Sequence, residues 1–415
     1  MAKWRRLENA AKIFPATSGK RDSRVFRFSC ELKETVKGEV LQEALDRAIK
    51  EMPLFQSVLR RGIFWFYLEN SDIRPIVVEE NRLPCSSIYI RDKRTLLFEV
   101  SYFKKRINFE VFHVLTDGTG AMLFLKCLVS HYLTLCYPNV LKDKMLISSY
   151  DATEEEKEDD GFQKYYQMIK GKKRLEKIHA YQLTGVKNGE EKFQIIEGVL
   201  SVKSLLEKAR EQNVTMTVYL TAVFLCAIHK EMSKRQERKP VVLMIPVNLR
   251  KYFPSESCRN FFGWIDVGYR FHGEDSFEDV LKEVKEFFKK ELTKEGLSMR
   301  MNDLISLEEN PFLRVTPLGI KNIFMAAANR ISERRETAVF SNMGAVNLPE
   351  EFAPYIRLFD VFISTPKIEL CMCSYHDNLV LSFSSCLKST NIERNFFRHL
   401  TGLGIEVEIS TKLYE

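Results

Sequence analysis

Residues 109–120 read F-E-V-F-H-V-L-T-D-G-T-G, which places an imidazole, His113, four residues before a carboxylate, Asp117. Near neutral pH an imidazole can take or give a proton. Held on a rigid support beside a passage, it can serve as a general base. Ile107, Phe109, Val111 and His113 alternate with other residues, which predicts a strand with one face in a core. The Thr-Asp-Gly-Thr-Gly that follows cannot continue a strand, because two glycines in three residues allow positive φ and a sharp reversal. Residues 121–132 are apolar almost all round, as in a buried helix. His113 is therefore expected at the end of a core strand, with Asp117 in the turn behind it.

The chain that must position these groups has 415 residues, enough for two domains of about 200. Its 45% hydrophobic content, with 30 Phe, is that of a well-buried globular protein. The net charge of +7 is mild and no Lys/Arg tail is present, so nucleic acid is not an expected partner. The nine cysteines form no C-x-x-C pair and lie mostly in apolar runs, as buried free thiols of a reducing compartment do. The N-terminus, M-A-K-W-R-R-L-E-N, has no apolar core of a signal peptide, and a cytoplasmic location is expected. No uncharged apolar run reaches about 18 residues, so no transmembrane segment is expected; residues 216–228 come nearest and read as a core helix. His131, His179, His229, His272, His376 and His399 are scattered without ligand spacing, and no metal site is expected.

Along the chain, Phe26, Phe28, Cys30 and Leu32 mark a strand over 24–32. A helix over 40–52 is stopped by Pro53, and short strands follow at 64–68 and 88–90. A hairpin, 96–103 with 107–113, carries the histidine on its second strand and the solvated basic tip Lys104-Lys105-Arg106. Residues 140–188 hold T-E-E-E-K-E-D-D-G and G-K-K-R-L-E-K, and such charge blocks read as a mobile linker. Beyond it come a strand at 192–199, helices at 201–212 and 215–231, and strands at 241–245 and 265–271. A helix at 276–292 opens on Ser276 and Asp279, a pair resembling a capping box. A loop leads to a helix at 311–330; strands at 338–346, 358–363, 368–375 and 379–384 and a helix at 392–400 close the chain. The expected division is an N-terminal subdomain, 1–188, ending in the linker, and a C-terminal one, 189–415.

Five stretches share a wider likeness: A-L-D-R-A-I-K-E-M-P-L-F from Ala44, H-x3-D-G at His113, N-V-T-M-T-V-Y-L-T-A from Asn213, P-V-N-L-R ending at Arg250 with N-F-F-G-W from Asn260, and S-N-M-G from Ser341. In order and spacing they resemble the CoA-dependent acyltransferase superfamily, whose fold is that of chloramphenicol acetyltransferase (CAT) and whose members include peptide-synthetase condensation domains. The nearest likeness is to bacterial alcohol acetyltransferase-like proteins. Phe112 stands where condensation domains carry a first histidine, and the plant D-F-G-W-G is absent.

The resemblance implies an α/β (α+β) fold of two CAT-like subdomains forming a pseudo-dimer, with a tunnel between them. It implies that His113 is the general base and that Asp117 is structural, pairing with Arg250 and holding the turn with Gly118. It makes Ser341, Asn342, Asn260 and Gly263 the candidates for contacting substrate or oxyanion. The implied co-substrate is a coenzyme A thioester, acetyl-CoA or another acyl-CoA, which the mild positive charge suits. The implied acceptor is the hydroxyl or amine of a small molecule, attacked directly with no acyl-enzyme. Two alternatives stay open: a carrier-protein thioester as donor, or a non-catalytic, ligand-binding member of the fold.

Overall fold

The computed structural model describes residues 4–141, 160–166, 179–190, 192–308 and 314–412. Most of the charged stretch at 140–188 lies outside the described residues, and so does the expectation of a mobile linker there.

Among the described residues, three sheets are present. A five-stranded sheet has the order β12-β2-β7-β6-β5, built from Ile356–Ile363 (β12), Val25–Leu32 (β2), Arg106–Phe112 (β7), Phe98–Phe103 (β6) and Val78–Glu79 (β5). A seven-stranded sheet runs β10-β9-β11-β13-β14-β8-β15: Phe262–Tyr269, Val241–Asn248, Ala338–Ala345, Ile368–Tyr375, Asn378–Ser385, Gln194–Ser201 and Glu408–Lys412. A small sheet joins Trp4–Arg6 (β1), Phe66–Asn70 (β4) and Ser57–Arg61 (β3). The halves are interwoven, because β12, late in the chain, pairs antiparallel with β2.

β7 is buried on both faces rather than one. Ile107, Phe109 and Val111 enter one core with Phe55 and Phe124, while Asn108 and Glu110 face a buried polar layer. There Arg27 pairs with Glu110 at 2.8 Å, which allows polar residues to be buried. The hairpin turn also departs from expectation. Lys104 and Lys105 form it, but Arg106 belongs to β7 and bonds Glu31, Glu197 and Asp360 at 2.9, 3.0 and 2.8 Å.

Residues 88–90 are irregular rather than a strand. A helix at Lys294–Glu308 was not foreseen, because its apolar residues have almost no helical periodicity. The helix expected at 311–330 runs Leu318–Glu333, starting directly after Pro317, while residues 311–313 lie outside the described set. Ser276 and Asp279 do form a capping box. Among the described residues, the helix Gly118–Cys136 is long and apolar enough to cross a membrane, yet Phe124, Leu125, Leu128 and Val129 on it are buried in the first core.

Candidate active site

His113 follows the last residue of β7, and its backbone N–H donates to the Arg24 carbonyl at 2.9 Å. The helix Gly118–Cys136 begins five residues later, capped by Asp117. Asp117 Oδ1 accepts from the Thr119 and Gly120 N–H groups at 3.1 and 3.2 Å. Its Oδ2 accepts from Arg250 Nη1 at 2.6 Å and from the Phe261 N–H at 2.8 Å. Neither glycine of the turn has positive φ; both sit in the first helical turn. Gly120 is required by close approach instead, since a Cβ there would collide with the Cys258 carbonyl and Thr116.

Arg250 ties this turn to the other half of the chain. Besides Asp117, it donates to the Ser257 carbonyl through Nε at 2.9 Å and Nη2 at 2.7 Å, and to the carbonyls of Arg259 and Phe261. Thr116 Oγ1 donates to the Cys258 carbonyl at 2.6 Å. Residues 257–261 are thus clamped against the histidine turn. From the outside, Arg259 pairs with the buried Glu8 of the N-terminal segment.

The clamped loop carries Asn260, which is buried and reaches the histidine itself. Its Nδ2 donates to the carbonyls of His113 and Val114 at 3.0 and 3.3 Å. Those two bonds assign the amide's orientation, so Oδ1 is the atom 3.1 Å from His113 Nδ1. A carbonyl oxygen can only accept, so the proton sits on Nδ1 and Nε2 keeps its lone pair. Burial lowers the imidazole pKa from 6.5 to about 4, so the ring is neutral at pH 7. By surface accessibility His113 is half-buried, between fully covered neighbours on either side.

Three aromatic rings wall the imidazole. Phe14 stacks on it at 4.3 Å, Phe26 meets it edge-on at 4.7 Å, and Phe262 lies at 5.3 Å. Phe112 is buried against Tyr89, with parallel rings 5.2 Å apart.

The remaining candidates are less engaged with the histidine. Asn260 turns both ends of its amide on His113 and Val114, so it orients the ring and has no N–H aimed at an oxyanion. Gly263 is half-buried, and a Cβ there would make ordinary contact with Leu249. Ser341 is half-buried on β11, its Oγ 3.9 Å from the Met343 sulfur. Asn342 is exposed; it donates to Thr217 Oγ1 at 2.8 Å and accepts from the Gly344 N–H at 2.7 Å. Phe14 is the wall residue the sequence reading missed, and nothing in its short segment signals it. Phe26 could have been inferred from its place on the Phe28 face of β2.

The described residues include one group with metal-ligand chemistry, Glu51, Cys127 and His131. Its members already satisfy each other: His131 Nε2 and Cys127 Sγ lie 2.9 and 3.4 Å from the two oxygens of Glu51. Burial holds the thiols of Cys30, Cys85, Cys371 and Cys373 well above the ordinary thiol pKa, which makes them poor nucleophiles.

No curated protein sequence matches this chain. Among solved structures it is similar to polyketide synthase associated protein 5 from Mycobacterium tuberculosis, with 13% identity, 96% of this chain and 98% of that one covered, and a TM-score of 0.61. It is also similar to trichothecene 15-O-acetyltransferase from Fusarium sporotrichioides, with 10% identity, 96% and 94% coverage and a TM-score of 0.62. The first condensation domain of the calcium-dependent antibiotic synthetase matches with 13% identity, 97% and 96% coverage and a TM-score of 0.60. These likenesses establish the CAT-like fold over nearly the whole chain. The family model for alcohol acetyltransferase matches residues 162–401, more than half of the chain, which therefore belongs to the alcohol acetyltransferase family of acyltransferases.

Proposed function

We propose that the chain moves an acyl group, acetyl first, from acyl-CoA to the hydroxyl or amine of a small acceptor, with His113 as general base. One observation carries this: Asn260 holds the proton on Nδ1, so Nε2 is a lone pair on a neutral, half-buried ring. Nε2 takes the acceptor's proton as its oxygen or nitrogen attacks the thioester carbonyl. The C–S bond then breaks, and the departing thiolate takes the proton back from the imidazolium. Asn260 Oδ1 accepts from Nδ1–H throughout and steadies the transient cation. The buried, high-pKa thiols speak for direct transfer rather than an acyl-cysteine.

The oxyanion needs a donor. Thr119 and Gly120 N–H are taken by Asp117, and the Asn342 amide is taken by Thr217, which leaves the Ser341 hydroxyl and the Gly118 N–H as the candidates. The test is thiol release from acetyl-CoA with panels of alcohols and amines, for the natural chain and for His113→Ala. Acceptor-dependent release that the substitution abolishes is expected. Turnover only with a phosphopantetheine-bound thioester would move the donor to a carrier protein. No turnover with either would leave a binding role.

A further inference from the structure

The helix Leu318–Glu333 turns its apolar residues outward. Ile320, Ile323, Phe324, Ala327 and Ile331 recur at helical spacing and form one stripe, while Leu318 and Lys321 on the opposite side are buried. Exposure is 71% at Ile323, 65% at Phe324 and 63% at Ile331. The stripe extends past the helix. Val315 precedes it, exposed, and the Leu318 N–H donates at 2.9 Å to the carbonyl of Ile63, at the tip between β3 and β4. Ile63 is 75% exposed, and Phe64 beside it is exposed too. Lys321 builds this junction from within, donating to the Phe64 carbonyl at 3.0 Å with its ammonium over the Trp65 ring. Single exposed apolar residues are ordinary, but a contiguous set on a helix and the tip bonded to it marks a surface that something covers.

Charge identifies the kind of partner. From Arg314 to Arg335, leaving out the buried Lys321, there are four basic residues, Arg314, Arg330, Arg334 and Arg335, against one acidic residue, Glu333. Arg314, Arg330 and Arg334 are exposed, and so is Arg61 at the bonded tip. An apolar stripe rimmed by arginines is the pattern of a helix lying in a membrane interface, its apolar side in the acyl chains and its cations among anionic headgroups. A second copy of the chain would instead bring the same arginines towards each other across a two-fold contact.

We propose that this helix and the 62–65 tip form a docking face for an anionic lipid bilayer. The face is coupled to the site. The helix packs on the Phe14–Thr17 turn, and Phe14 is the ring stacked on His113. A docked molecule would hold that wall of the site towards the lipid, where apolar acceptors dissolve. The proposal rests on the surface alone and holds whether or not the acyl-transfer reading does.

The test is flotation of the full chain with phosphatidylcholine vesicles, with and without phosphatidylserine. Binding to the anionic vesicles that weakens with salt is expected. Ile323→Asp with Phe324→Asp should reduce it by roughly tenfold or more. Arg330→Glu with Arg334→Glu should also weaken it, without adding charge to the apolar stripe. Melting temperature and thiol release with a water-soluble acceptor should be unchanged in both variants. Failure of the natural chain to bind either vesicle would overturn the proposal, as would undiminished binding by both variants. A dimer in light scattering that Ile323→Asp with Phe324→Asp splits would overturn it in favour of a second copy.

Discussion

Arg250 and Arg106, each largely covered, join early and late parts of this chain in opposite ways. Arg250 meets one carboxylate, Asp117, and spends its other donors on the carbonyls of Ser257, Arg259 and Phe261. Arg106 meets three carboxylates, Glu31, Glu197 and Asp360, from β2, β8 and β12. The first joint shapes a loop, because carbonyls belong to backbone and holding them fixes where Asn260 lies. The second joins strands that are already shaped by their ladders, and it neutralises acids buried between sheets. An ion pair to a buried carboxylate is common to both. What makes one joint part of a site is that its bonds end on the backbone that aims a histidine.

The comparison can be broken most sharply at the histidine. His113→Ala should lower kcat by about 10²–10⁴ and leave the melting temperature nearly unchanged, as steady-state rates and calorimetry on one preparation would reveal. Full activity in that variant ends the general-base assignment.

Next come the joints themselves. Asp117→Ala and Arg106→Met each remove one side of a buried ion pair and should each cost about 3–5 kcal/mol in urea unfolding. They should separate in activity per folded molecule: the first falls with its stability, while the second stays near the natural rate. Equal rates in the two would mean that Arg250 has no positioning role.

Asn260→Asp is smaller and more specific. A carboxylate facing Nδ1–H favours the imidazolium, so the acid limb of the kcat/KM profile should move up from about 4 towards 6.5. An unmoved limb would show that residue 260 does not govern the ring.

The mildest effect is on stability against pH. His113 has a folded pKa near 4, below its ordinary 6.5, so between these values the unfolded chain binds a proton that the folded chain refuses. Stability should therefore fall as pH drops from 6.5 to 4, and His113→Gln should flatten that part of the profile by chemical denaturation. An unchanged slope would place the titration elsewhere.

Much of this was visible in residue order. The alternation of Phe26, Phe28, Cys30 and Leu32 marks β2, and the apolar run after Asp117 marks its helix. The Asp117–Arg250 pair was named from the motifs and lies at 2.6 Å. Less visible were features whose cause lies across the fold. Arg106 reads as part of a basic hairpin tip, since its three carboxylates are far away in sequence. Residues 88–90 look like a strand because apolar composition does not reveal that no ladder partner is in reach. The helix Lys294–Glu308 was hidden by apolar residues spread around its circumference.

The sequence alone determined which chemistry is available: one imidazole before a carboxylate in the turn behind it, strands and helices from their periods, and thiols placed in apolar runs. Those are local matters, decided by side-chain identity and by spacing along one element. Only the tertiary structure decided that Asn260 turns inward to hold Nδ1–H, that Phe14 covers the ring, and that the stripe on Leu318–Glu333 faces outward. Each depends on which surfaces meet across distances of many residues. A buried amide or an apolar stripe reads the same in sequence whether its partner is a ring, a core or a membrane.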